Sequence, residues 1–151
     1  MRHADAIDGN GNDFSRTLSE SGRSQAEKMG RWLKDMKLGK VLVVTSPLPR
    51  AHETANIVAS CLGDDETLRP DERLSPGMTT EEGTTLVHEF GQSAERLLLV
   101  GHAPDLGALA SYLMGAKEQS VEMRKGAIAC FDTTRAGFGG SVLKWLITPK
   151  L

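Results

Sequence analysis

Val41-Leu42-Val43-Val44-Thr45, followed at once by Ser46-Pro47-Leu48-Pro49-Arg50-Ala51, is the stretch whose reading decides the fold. Four consecutive aliphatic residues leave no polar face, so the segment reads as a strand buried on both sides, the pattern of a parallel sheet. Ser46 is placed to cap a second helix, with the prolines confined to its first turn, where a missing N–H is tolerated. Ala51, Ala55, Val58 and Leu62 mark the inner face of that helix, and Gly63 follows it. The arrangement recurs downstream. Leu97-Leu98-Leu99-Val100 reads as a second buried strand, Gly101-His102 as a tight turn, and Pro104 as the N1 residue of another helix. Leu106, Leu109, Ala110 and Leu113 form its inner face, and Gly115 ends it.

On the amino-terminal side, Asp8-Gly9-Asn10-Gly11-Asn12-Asp13 is a turn-rich loop. Thr17 with Glu20 three residues later predicts a capping box at the start of a first helix. Ala26, Met29, Leu33 and Met36 follow helical spacing, and Gly39 is placed to stop it. Leu68 to Thr80 reads as irregular, and a helix is predicted from about Thr80 to Phe90. Ala127 to Thr133 and Val142 to Thr148 read as strands joined by Gly137-Phe138-Gly139-Gly140, a hairpin turn and not a phosphate cradle, because a strand follows it. Strands alternating with helices predict a three-layer αβα sandwich with a mostly parallel sheet, in a single domain over residues 1–151.

Composition bounds the function. With 151 residues, 39% hydrophobic and 25% charged, the chain matches ordinary globular proteins. A net charge of −2 gives no basic field for nucleic acid or an anionic membrane. Its aliphatic runs are far shorter than a bilayer span, and Met1-Arg2-His3-Ala4-Asp5 has no apolar signal-peptide core, so a cytoplasmic location is expected. Cys61 and Cys130 lack metal-ligand spacing and read as buried free thiols. Trp32 and Trp145 read as packing residues, and His52 and His88 as solvated ones.

Ligands of open α/β sheets bind beyond the carboxyl ends of the strands. Arg50 follows the first buried strand, His102 follows the second, and Arg2-His3 stands at the chain start. Two guanidinium groups and two imidazoles at one sheet edge make a site for a dianion, because guanidinium forks match phosphate oxygens. With that charge neutralised, a neutral imidazole can attack phosphorus. No carboxylate cluster has metal-ligand spacing, so neither metal nor other cofactor is called for.

These residues carry a family resemblance. Met1-Arg2-His3-Ala4-Asp5-Ala6 resembles the Arg-His-Gly/Ala signature of the histidine phosphatase superfamily. Arg16-Thr17-Leu18-Ser19-Glu20-Ser21-Gly22 with Gln25-Ala26, then Ser46-Pro47-Leu48-Pro49-Arg50-Ala51-His52-Glu53-Thr54, then Val100-Gly101-His102-Ala103-Pro104 resemble its other segments, in order. Leu74-Ser75-Pro76-Gly77 and the stretch from Gly101 to Gly107 are similar to the compact SixA-type branch, the phosphohistidine phosphatases. The resemblance implies a phosphoglycerate mutase-like fold, His3 as nucleophile, and Arg2, Arg50 and His102 holding the phosphoryl group. It adds Arg16 and Ser46 as further substrate-binding candidates. Members of the family carry a short apolar strand before Arg-His, whereas Met1 alone precedes it here. The expectation is either a start further upstream or a pocket held less firmly.

The general acid stays open among Glu72, Glu81 and Asp5. A weak or absent acid suits a phosphohistidine substrate, whose leaving imidazole can already carry a proton. The expected substrate is therefore phosphohistidine on a partner protein, such as a phosphotransfer domain. The alternatives are a small-molecule phosphomonoesterase of the mutase-like kind and a phosphate- or phosphoprotein-binding module that has lost catalysis.

Overall fold

In the computed structural model, which describes residues 1–63 and 68–150, the residues of strand β1 (Leu42–Thr45) divide between two apolar clusters. Val43 packs with Met29, Leu33, Ala55 and Val58, which lie on helices α1 (Glu20–Asp35) and α2 (Pro49–Leu62). Val44 packs with Leu86 of α3 (Thr80–Gly91) and with Leu106, Leu109 and Leu113 of α4 (Asp105–Leu113). Successive side chains of a strand point to opposite faces, so a strand apolar at every position needs a helical layer on each side. The three-layer αβα arrangement follows from that requirement.

β1 lies between β2 (Leu68–Pro70) and β3 (Leu97–Val100), parallel to both. The register pairs Leu42 with Leu97 and Thr45 with Val100, which brings the carboxyl ends of β1 and β3 level. Strands β4 (Ile128–Thr133) and β5 (Ser141–Ile147) form an antiparallel hairpin. Met1–His3 joins the two sheets. Arg2 bridges Gly101 in parallel, the His3 amide donates to Gly101 O at 2.9 Å, and the Arg2 amide donates to Ala127 O at 3.0 Å. Met1 itself is buried, its nitrogen donating to Leu99 O at 2.7 Å. Below Met1 the sheets part around a cavity of about 760 Å³ with a mixed lining that includes Leu97, Leu99, Ile128, Arg96 and Asp132.

Local details correct several expectations. Helix α1 is capped by Ser19, whose Oγ accepts from the Gly22 amide at 3.0 Å, and not by Thr17. Thr17 is occupied in extended chain, its carbonyl accepting from the Ile7 amide beside the Ala6–Leu18 bridge. Met36 ends the helix and is exposed. Helix α2 begins at Pro49 with Leu48 as N-cap, so Ser46 lies outside it, and Pro104 is the N-cap of α4 and not its first residue. The stretch from Leu68 to Thr80 holds β2 and a 3-10 turn at Glu72–Leu74. Three residues are too few to show a pattern, and Pro70, with no N–H, suits the sheet edge where β2 lies. Cys61 and Cys130 are free but half-buried. Trp32 and Trp145 do pack together, edge to face with centroids 4.8 Å apart, coupling α1 to β5. Among the described residues no helix is long and apolar enough to cross a membrane.

Candidate active site

The level carboxyl ends of β1 and β3 deliver Arg50 and His102 beside His3, on the strand segment between β3 and β4. All three are buried, with 4%, 3% and 5% of their surfaces exposed. They line a cavity of about 240 Å³ with Arg2, Arg16, Asp13, Lys125, Pro76 and Ala103. The larger cavity below Met1 has no such concentration of imidazoles and guanidinium groups, so chemistry and not size marks the smaller one as the site.

His3 has a defined tautomer. Its Nδ1 lies 2.7 Å from the Ala4 carbonyl oxygen, which can only accept, so Nδ1 carries the hydrogen and Nε2 the lone pair. Arg50 Nε donates to that lone pair at 3.3 Å. Burial first, and then the nearby charges of Arg50, Arg2 and Arg16, push the His3 pKa down to about 4, outweighing the Ala4 bond that raises it. The ring is neutral at pH 7. His102 is lowered to about 3 by burial, then by Arg50 and His3. Its ring centroid lies 5.3 Å from that of His3.

Two polar atoms in this wall are buried without a partner: His102 Nδ1 and Arg2 Nε. Buried polar atoms without a partner are rare in folded proteins, and these two belong to residues that line the cavity. The opposite edge of His102 is fixed by Ser46 Oγ, 2.9 Å from Nε2. Ser46 Oγ also accepts from the Leu48 amide at 3.2 Å. Ser46 thus stands behind His102 and does not line the cavity. Arg2 Nη1 donates to Met123 O at 3.0 Å. Arg16 does reach the cavity, its Nε donating to Ile7 O at 2.8 Å and its Nη1 pairing with Asp13 at 3.0 Å.

The sequence segments around the site have physical tasks. Thr54 Oγ1 donates to Arg50 O at 2.7 Å and accepts from the Ala4 amide at 3.1 Å, riveting α2 to the backbone beside His3. Glu53 accepts from the Leu18 amide and from Arg23 Nε. Gln25 Oε1 accepts from the Asp5 amide at 3.0 Å. A Cβ at Gly22 would lie 1.9 Å from Asp5 O, so only glycine lets α1 approach there.

Sequence reasoning missed Asp13 and Lys125. Asp13 is bound to Arg50 through Nη1 to its carbonyl oxygen at 2.7 Å and Nη2 to Oδ2 at 3.0 Å. Two carboxylates near Arg50 in the chain, Glu53 and Asp71, are engaged elsewhere, by Arg23 and Arg73. Lys125 reaches Asp5 at 2.6 Å from 120 positions away, a contact with no local signal. None of the three general-acid candidates lines the cavity. Asp5 is held below the usual carboxylate range by Lys125 and then Ser19, and Glu72 accepts from Ser75 Oγ. Among the described residues, no group of three His, Cys, Asp or Glu side chains is placed to hold a metal ion.

Comparison with known proteins identifies the family and the fold. The family model of the histidine phosphatase superfamily, branch 1, matches residues 2–85. Phosphohistidine phosphatase SixA of Escherichia coli strain K12 is 28% identical over 153 residues, covering 99% of this chain and 91% of that protein. The structure of the protein histidine phosphatase SixA complexed with tungstate superposes with a TM-score of 0.88 at 25% identity, over 99% of this chain and 94% of that one. The structure of a putative phosphohistidine phosphatase SixA from Nakamurella multipartitia gives 0.79 at 26% identity, over 100% and 94%.

Proposed function

Because the chain belongs to the histidine phosphatase superfamily, branch 1, we propose that this phosphatase removes phosphate from phosphohistidine on a partner protein, through a phosphorylated His3 and without a metal ion. The observation that carries the reading is the pairing of a neutral His3, its Nε2 lone pair turned to Arg50, with the unpartnered His102 Nδ1 and Arg2 Nε in one cavity. His3 Nε2 attacks phosphorus, its bond to phosphorus forming as the substrate's P–N bond breaks. Arg50 Nε gives up the lone pair for a phosphoryl oxygen as the bond to His3 forms. Arg2, Arg50 and His102 meet the charge on the equatorial oxygens, the task a metal performs in other phosphoryl-transfer sites. Water next attacks phosphorus, its proton leaves with phosphate, and His3 is restored.

The substrate class follows from what the cavity offers a leaving group. Among the described residues the one carboxyl lining it is Asp13, which Arg16 and Arg50 keep ionised. An alkoxide would need a proton from a positioned acid, whereas a phosphohistidine protonated on its other ring nitrogen releases a neutral imidazole without one. Similarity to SixA proteins supports the same class. A cavity of 240 Å³ is large enough for a phosphoryl group but leaves the body of a protein substrate outside.

The test is phosphate release from a phosphohistidine-loaded phosphotransfer domain with EDTA present, comparing wild type with His3→Ala. Release by wild type, a trapped phosphoenzyme on the His3 peptide, and loss of both in the variant are expected. Equal release by both proteins would overturn the nucleophile, and dependence on added metal would overturn the metal-free reading.

A further inference from the structure

Arg50 has two terminal nitrogens beyond the Nε that faces His3, and one residue takes both. Nη1 donates to the Asp13 carbonyl oxygen at 2.7 Å and Nη2 to its Oδ2 at 3.0 Å. This is the paired contact by which a guanidinium holds an oxyanion, met here by one carbonyl and one carboxylate oxygen of a single residue. The partners are unequal: the Arg50 side chain is 5% exposed and that of Asp13 58%. A buried cation stripped of its anion is costly, so Arg50 needs a partner whenever no phosphoryl group is bound. An exposed carboxylate on a turn leaves at little cost. Asp13 opens a three-residue 3-10 turn after a loop in which Asn10 and Gly11 both adopt left-handed backbone, a segment with no buried residue in the turn itself.

We propose that Asp13 is a specificity-determining residue, an internal oxyanion that occupies Arg50 until a phosphoryl dianion replaces it and that keeps singly charged ligands out. The proposal rests on the phosphatase reading of the cavity. A carboxylate ligand offers Arg50 nothing that Asp13 does not already supply, and Asp13 has the advantage of being tethered. A phosphoryl group brings a second charge and further oxygens. It satisfies Arg50 together with His102 Nδ1 and Arg2 Nε, which Asp13 leaves without partners. The exchange therefore runs forward for a dianion and not for a monoanion. Arg16, on the other carboxylate oxygen at 3.0 Å, keeps a partner for Asp13 once Arg50 releases it.

The test is calorimetric titration of the full chain with inorganic phosphate and, separately, acetate, for wild type, Asp13→Asn and Asp13→Ala. Wild type binds phosphate and not acetate. Both variants bind phosphate roughly two- to tenfold tighter, the range one exposed charged contact spans, and Asp13→Ala gains acetate binding. In turnover of the phosphorylated protein the change falls on KM. Unchanged or weaker phosphate binding in both variants overturns the proposal, as does a fall in kcat at constant KM, which would make Asp13 a support for Arg50. A measurement without variants stands beside these: amide exchange over residues 8–16 of wild type speeds up when phosphate is added, and slower exchange overturns the exchange of partners. Phosphate binding that behaves as described, with no phosphoenzyme formed, would sink the phosphatase reading and leave Asp13's role standing.

Discussion

His3 and Asp13 line the same cavity, yet the chain holds them by opposite means. The His3 amide bonds to Gly101 and its carbonyl accepts from Gly126, while the next amide, of Ala4, bonds to Thr54. Each partner lies some 50 or more positions away, so the floor of the site forms only when strands and helices have all assembled. Arg16 bonds within its own loop, to Ile7, Ala6 and Asp13, and Asp13 is tied to the distant part of the chain through Arg50. Ile7 and Phe14 of that loop stand 49% and 66% exposed. Segments with few buried apolar contacts open at low free energy without global unfolding. The floor is thus as rigid as the fold, and the rim can rearrange on it.

Arg50 is where the two regions meet, and its loss gives the largest effect. Arg50→Ala is expected to lower kcat/KM for a phosphorylated protein by about 10²- to 10³-fold, the scale of one charge-stabilising donor. The same variant removes a charge that lowers the His3 pKa, so an NMR titration of His3 should move upward, toward the ordinary imidazole value, while burial still holds it below. A loss under tenfold would mean that the rim, through Arg16 and Lys125, shares the charge that is assigned here to the floor.

Thr54 tests whether the floor is riveted through the whole fold. Thr54→Val keeps the shape but leaves the buried Ala4 amide without an acceptor, a cost of about 1–3 kcal/mol. Thermal melting should fall by several degrees, at roughly 2–4 °C per kcal/mol for a chain of this size. An unchanged melting point would show that Ala4 finds another acceptor and that the contrast between floor and rim is smaller than the bonding suggests.

The same contrast decides what the sequence could reveal. Val41 to Thr45 and Leu97 to Val100 announce a two-sided parallel sheet because each apolar residue has a face to fill. The four residues brought together on the floor, Arg2, His3, Arg50 and His102, are legible because strand ends carry them to one edge. Element ends were read less well. Thr17 and Ser46 both have cap-like chemistry, but backbone pairing claims the first and His102 the hydroxyl of the second. Asp13 and Lys125 left no periodic signal, since a loop residue and a contact spanning 120 positions depend on the assembled surface. β2 escaped because three residues carry no pattern.

Acidity separates the regions by a smaller, continuous effect. His3 and His102, lowered to about 4 and about 3, bind protons more weakly when folded than when unfolded, near 6.5. The unfolded chain therefore binds more protons between about pH 6.5 and 4. Stability present above pH 6.5 is lost as pH falls through that window, by up to about 1.4 kcal/mol per pH unit for each group. Urea melts at stepped pH should show the decline, and it should shrink in His102→Gln. The acid limb of kcat/KM, which reports the free enzyme's groups, should lie below pH 5. A limb near 6.5 would mean that the His3 ring is wetter, and the floor looser, than its 5% exposure indicates.

Phe14 gives the smallest effect and the sharpest test of a locally held rim. With 66% of its surface exposed, one residue beyond Asp13, it contributes little packing. Phe14→Ala should change stability by no more than about 0.5 kcal/mol and leave amide protection of residues 1–6 as it was. Its effect should appear only where a protein surface reaches the rim, as a modest rise in KM for the phosphorylated partner, with inorganic phosphate binding unmoved. If phosphate binding shifts as well, Phe14 and Asp13 move as one piece, and the loop acts as a unit on Arg50. If melting falls by several degrees, the rim is part of the core, and the separation drawn between the two regions fails at the point where it was expected to be cleanest.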